Sequence, residues 1–221
     1  IEGWIGRALR CYNPPVSMSF TQPVGFMRSL IFLLVLLIVP TSVSAQQFGA
    51  SLAATETELF AGEGGNRVTP GSVYIYNRSS DGSWVESGSL MASDAGVEED
   101  GFGRALSADG TVLAVGAPSL DAVYVFEKSS NGKWSQTARL SGFGKGLGSA
   151  VAVRGNQLVA AAGGDGTEEN PGFAHVWTRA DDGKWNMTGH LGSESNALNM
   201  AGTQVAIDGD FAMVSAPATN D

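Results

Sequence analysis

The chain has 221 residues, of which 43% are hydrophobic, 16% charged and 30 glycine. That much apolar side chain excludes a disordered chain, and the absence of an every-third-residue glycine period excludes collagen. One cysteine cannot build an internal disulfide framework. Thirteen basic against 22 acidic residues leave a net charge of −9, the wrong sign for sequence-independent nucleic-acid binding.

Residues 1–26 begin at Ile1 rather than a methionine and show no apolar periodicity, so they read as a non-native upstream segment. Residues 27–45 read as a signal peptide. Arg28 gives the positive flank, Leu30 to Val39 the apolar run and Pro40 the break. Val43 and Ala45 then suit the −3 and −1 subsites for cleavage before Gln46. The uninterrupted apolar run has ten residues, whereas a spanning helix needs about 20. The expectation is a secreted, cell-surface or periplasmic protein with no membrane insertion of its mature part, 46–221. Losing Arg7, Arg10, Arg28 and Glu2 leaves that part with 10 basic and 21 acidic residues, a net −11, and no cysteine.

The mature part is one motif repeated. Trp84, Trp134 and Trp185 each follow a turn, Asp81-Gly82-Ser83, Asn131-Gly132-Lys133 and Asp182-Gly183-Lys184. Asp-Gly and Asn-Gly favour the positive backbone angles of hairpin turns. Before each turn runs a β-rich stretch, Val73 to Tyr76, Val123 to Phe126 and Ala174 to Trp177. After each tryptophan a short segment ends at Leu90, Leu140 or Leu191. A second hairpin precedes this one: Phe102-Gly103 leads through Asp109-Gly110 to Val115-Gly116-Ala117-Pro118. Its counterparts start at Phe48-Gly49, Leu147-Gly148 and Ala201-Gly202. Each unit is therefore four short antiparallel strands, and the repeats span about 48–101, 102–146, 147–200 and 201–221. Such sheets cannot bury both faces alone, and radial stacking solves this. The fold class expected is all-β, a β-propeller of four-stranded antiparallel blades, here an incomplete arc of about three and a half. The inner strands carry small residues, and the outer strands use tryptophan to fill the wedge between blades.

Phe102-Gly103 followed by Gly116-Ala117-Pro118 resembles the FG-GAP repeat of the integrin α-chain N-terminal propeller and its bacterial relatives. Phe48-Gly49 and Ser215-Ala216-Pro217 are weaker copies, and Leu147-Gly148 with Ala161-Ala162-Gly163 is weaker still. A kelch-like repeat, suggested by Gly64-Gly65 and Gly163-Gly164, is the alternative within the same architecture. The resemblance implies a natural protein that continues to about seven repeats. It would also imply a calcium loop in the first hairpin of each unit. Calcium takes six to eight oxygens, and the turns here are Thr55-Glu56-Thr57, Ala108 to Thr111, Arg154 to Asn156 and Ile207 to Asp210. None supplies three spaced carboxylates, so calcium binding is not carried over and no metal or cofactor site is expected.

Two acidic clusters remain: Asp94, Glu98, Glu99 and Asp100 before the second repeat, and Asp165, Glu168 and Glu169 in the third. Both lie in glycine-containing loops and are expected to be solvated. Of these residues, Glu98, Glu99, Asp100, Asp165, Glu168 and Glu169 are the candidates for weak ligand or divalent-ion contact. His175 and His190 are read as isolated, packed or surface residues. No nucleophile elbow, zinc-protease motif or phosphate loop appears, so no catalytic residue is expected. The expected function is a non-enzymatic exported scaffold that recognises an unidentified protein or glycan ligand through blade loops, such as Glu63 to Pro70 and Gly163 to Pro171. The alternatives are the propeller part of a larger secreted enzyme and a carbohydrate-binding propeller.

Overall fold

The computed structural model describes residues 47–65, 69–96, 99–142, 144–164, 172–192 and 204–215, all within one compact unit, Val43–Asp221. The expected signal peptide lies outside the described residues, as do Glu98, Asp165, Glu168 and Glu169. Three four-stranded antiparallel sheets follow one another, each with its strands in sequence order. Blade 1 comprises β1 (Ser51–Ala54), β2 (Glu58–Glu63), β3 (Ser72–Arg78) and β4 (Trp84–Leu90). Blade 2 comprises β5 (Ala105–Asp109), β6 (Val112–Ala117), β7 (Ala122–Lys128) and β8 (Trp134–Ser141). Blade 3 comprises β9 (Ala150–Arg154), β10 (Gln157–Ala162), β11 (Phe173–Arg179) and β12 (Trp185–Gly192). The hairpin β13 (Val205–Asp208) and β14 (Phe211–Val214) then begins a fourth. The fold is an incomplete β-propeller of about three and a half blades.

The inner strands β1, β5, β9 and β13 pack against one another in succession, so the core lies between sheets. One seam joins Phe60, Val73 and Ile75 of blade 1 to Leu113, Val115, Tyr124, Phe126 and Trp134 of blade 2, with Phe102 wedged between. The next joins Val112, Ala114, Val123 and Val125 to Val151, Val153, Leu158 and Trp177, with Leu147 in the place of Phe102. Alternate residues of β6 serve opposite seams. All six of them are buried, which explains why β6 reads as a continuous apolar run rather than an alternating one.

The outer hairpins share one construction. Gly82, Gly132 and Gly183 all adopt φ near +85, and their N–H groups donate to Ser79, Ser129 and Ala180 carbonyls at 2.9 Å each. A turn closed in this way and finished by a left-handed glycine is a favoured three-residue hairpin loop. Three positions beyond each tryptophan, Ser87, Thr137 and Thr188 occupy a bulge where the pairing register shifts. Each hydroxyl donates to a carbonyl of the neighbouring strand, Ile75, Val125 and Val176 respectively. A bulge increases local twist, here in every outer strand at the same place.

The glycines of the Phe-Gly and Gly-Ala-Pro segments meet across the seams. A Cβ on Gly116 would lie 2.0 Å from the Gly148 carbonyl oxygen, and one on Gly62 would lie 2.1 Å from the Gly103 carbonyl oxygen. Backbone atoms on both sides cannot yield as a flexible side chain would. Gly116→Ala should therefore lower unfolding free energy by about 3 kcal/mol, the upper end of overpacking costs. Gly96, with nothing within 4 Å of its virtual Cβ, should tolerate alanine within about 0.5 kcal/mol. Urea unfolding of the two variants checks this, and equal losses would contradict the tight seam.

Candidate functional site

Several ionisable residues pair across the blade seams. At the first seam Glu58, which opens β2, is 3% exposed. Its two oxygens are both used: Trp134 Nε1 donates to Oε1 at 3.1 Å and Lys128 Nζ lies 3.1 Å from Oε2. Lys128 ends β7 and Trp134 opens β8, so a carboxylate of blade 1 is held by two donors of blade 2. At the second seam the basic partner recurs: Arg179, which ends β11, reaches back to Glu127 of blade 2 at 2.6 Å. The acceptor for tryptophan does not recur, because Val112 stands at the position of Glu58. Trp185 Nε1 is accordingly buried with no hydrogen-bond partner, a cost the first seam avoids.

A second polar lock lies where blades 2 and 3 begin. Asp100 is 2% exposed, and its Oδ1 accepts from the Gly71 N–H at 2.7 Å and the Phe102 N–H at 3.0 Å. The expectation of a solvated loop therefore fails for Asp100: it ties the start of blade 2 to the segment entering β3 of blade 1. At the next seam the polarity is reversed. Asp121, in a left-handed conformation with φ 49, accepts from the Gly146 N–H through its own Oδ1. The carboxylate now belongs to the earlier blade.

Asp94 joins the linker before blade 2 to that blade's outer strands. Its Oδ1 accepts from the Tyr124 hydroxyl at 2.7 Å, and Arg139 Nε lies 3.1 Å from Oδ2. The hydrogen bond from Tyr124, aided by Arg139, holds the Asp94 carboxyl below its ordinary range. Burial, then the bond to Asp94, pushes the Tyr124 phenol up to about 12. Glu99 is exposed. The described acidic candidates thus take separate roles, and among the described residues no three His, Cys, Asp or Glu side chains converge to hold a metal ion.

The first-hairpin turns contact their neighbours. Asp109 Oδ2 accepts from the Gly155 N–H at 2.6 Å, and Arg154 lies 3.1 Å from Asp208. A groove of about 490 Å³ runs beside the first two turns, lined by Thr55, Glu56, Thr57, Asp109, Thr111 and Lys128. Another of about 550 Å³ lies at the second seam among Arg139, Arg179, Asp182, Lys184 and Trp185. Trp134 is a wedge against Phe60 of blade 1 and is 7% exposed, whereas Trp84 is 41% exposed. His175 and His190 are not isolated. They face each other across β11 and β12 with Nδ1 atoms 3.3 Å apart. The bulge at Thr188 sets that register, and the spacing of the two residues alone does not reveal it.

The family model of the FG-GAP repeat matches residues 84–132, from the outer strand of blade 1 to the outer turn of blade 2. A crystal structure of a protein from Lactobacillus plantarum is similar at 18% identity with a TM-score of 0.44. The alignment covers 68% of this chain and 44% of that one, so the chain spans less than half of that protein's length. No curated protein matches the chain.

Two predictions test the seam chemistry. Glu58→Ala should destabilise the protein by about 2–4 kcal/mol, because it strands Trp134 Nε1 and removes the partner of a partly buried ammonium. Glu58→Gln, which keeps an acceptor for the indole, should cost less; equal losses in chemical denaturation would show that the indole bond contributes nothing. Tyr124 has a folded-state pKa above its unfolded value of about 10. Its contribution is therefore fully present below pH ~10 and is lost as pH rises through the folded value of about 12. The stability gap between the native protein and Tyr124→Phe should shrink across that window, and a phenolate absorbance step near pH 12 should vanish in the variant.

Proposed function

We propose that this chain, which carries an FG-GAP repeat on a propeller frame, is an exported, non-enzymatic scaffold that recognises a protein ligand through its inter-strand loops. The observation that carries the reading is the use made of the buried polar groups. Glu58 through both oxygens and Asp100 through its Oδ1 join one blade to the next, while Asp100 Oδ2 is buried without a hydrogen-bond partner. Charges buried in catalytic clefts are instead arranged to act on a substrate. The seams supply rigidity, and the sequence segments 64–70 and 163–171 differ from repeat to repeat, as binding loops on a fixed frame do. Export is supported by the Met27 to Ala45 pattern.

The test has two arms. Expression of the whole chain in a secreting bacterial host should yield a mature protein that starts at Gln46. That protein should then bind at least one member of an immobilised panel of extracellular matrix proteins; binding to glycans alone would favour the carbohydrate-binding alternative. Replacing 165–170 with glycine and serine should weaken that binding about tenfold, or 1.4 kcal/mol, without changing the melting temperature. Turnover of ester, glycoside or phosphoester substrates by the purified protein would overturn the non-enzymatic reading.

A further inference from the structure

We propose that His175 and His190 form a two-histidine site for a borderline divalent transition cation, with Zn2+ the best geometric match. The residues are direct cross-strand partners on β11 and β12, and their Nδ1 atoms are 3.3 Å apart. Zinc binds imidazole nitrogen at about 2.0–2.1 Å in tetrahedral geometry. Two such ligands stand about 3.3–3.4 Å apart, so the spacing of the pair is that of two zinc ligands. Without metal, the same approach is met by one ring donating Nδ1–H to the other. On binding, the donor ring's proton passes through solvent from its Nδ1 to its Nε2, so that both neutral rings carry hydrogen at Nε2 and turn a bare Nδ1 to the ion.

The His175 ring is held in place before any ion arrives. His175 is fully buried, and its Cδ2–Nε2 edge lies against Gly142 of blade 2. A Cβ on Gly142 would stand 2.5 Å from both atoms, so a side chain there would force the ring to turn. The Phe173 ring lies 4.8 Å from the His175 ring, and Trp177 meets it edge-on at 5.6 Å. Preorganised ligand rings lower the ordering cost of binding. His190 is exposed, which gives an ion a route in. The corresponding cross-strand pairs are Tyr74 with Ser89 in blade 1 and Tyr124 with Arg139 in blade 2. Of the three complete blades, the third alone places two imidazoles there.

The test is the melting temperature of the full chain with ~100 μM Zn2+ at neutral pH. A ligand that binds only the folded state raises it, and a rise of about 2–4 °C corresponds to roughly 1 kcal/mol for a domain of this size. Ca2+, which prefers oxygen ligands, should give no rise. His190→Ala, at an exposed position, should abolish the zinc effect. His175→Tyr should do the same while preserving the fold, because tyrosine fills that slot in both other blades. The proposal is overturned if zinc produces no rise in the native chain, or the same rise in His190→Ala.

Discussion

The structure depends on one steric constraint: neighbouring blades approach so closely at their inner ends that two backbones touch without side chains between them. Gly62 with Gly103 and Gly116 with Gly148 mark these contacts. That approach lets Phe102 and Leu147 drop into the seam behind it and brings the outer strands within reach of Glu58 and Glu127. Removing apolar area from water stabilises each seam by roughly 25 cal/mol per Å². The glycine contacts decide which area can be removed. Ala161 takes the corresponding position in blade 3, and among the described residues the seam behind it buries Val159, Ala161 and Ala174, with Val205, Ile207, Ala212 and Val214 packed against them.

The polar groups set the specificity of packing that the apolar core leaves open. A wedge of phenylalanine and valine tolerates some sliding. A carboxylate that must meet an indole N–H and an ammonium does not. Unpaired buried partners are expensive, so Glu58, Lys128 and Trp134 fix the register of blade 2 against blade 1. The second seam carries the orphaned Trp185 Nε1 and relies on Arg179 with Glu127 instead. Two seams of similar shape are thus held by different chemistry.

Backbone demands were the legible part of the sequence. Only glycine suits the left-handed turn positions at Gly82, Gly132 and Gly183, so those residues announce the hairpins, and the phased tryptophans announce the period. Burial of single polar residues was illegible. Asp100 stands beside Glu99 in an acidic run, and nothing local separates the carboxylate that locks a seam from the one that meets solvent. The histidine pair was hidden for another reason. His175 and His190 face each other because Thr188 adds one residue to the outer strand, and a bulge cannot be counted from strand spacing alone. Superposing the repeats, with Tyr124 and Arg139 in the same two slots, would have exposed it.

The reversed direction of the Asp100 and Asp121 locks has an evolutionary consequence. Blade 2 brings an acid to both of its sides. Two tandem copies of it would set Asp121 against Asp100, two like charges at one joint. Blade 1 followed directly by blade 3 would set Gly71 against a lead-in with Lys145 where Asp100 stands, leaving that junction no carboxylate. Duplicating or reshuffling single blades is therefore penalised at the joint, and lineages of such proteins should inherit the back of one blade together with the front of the next.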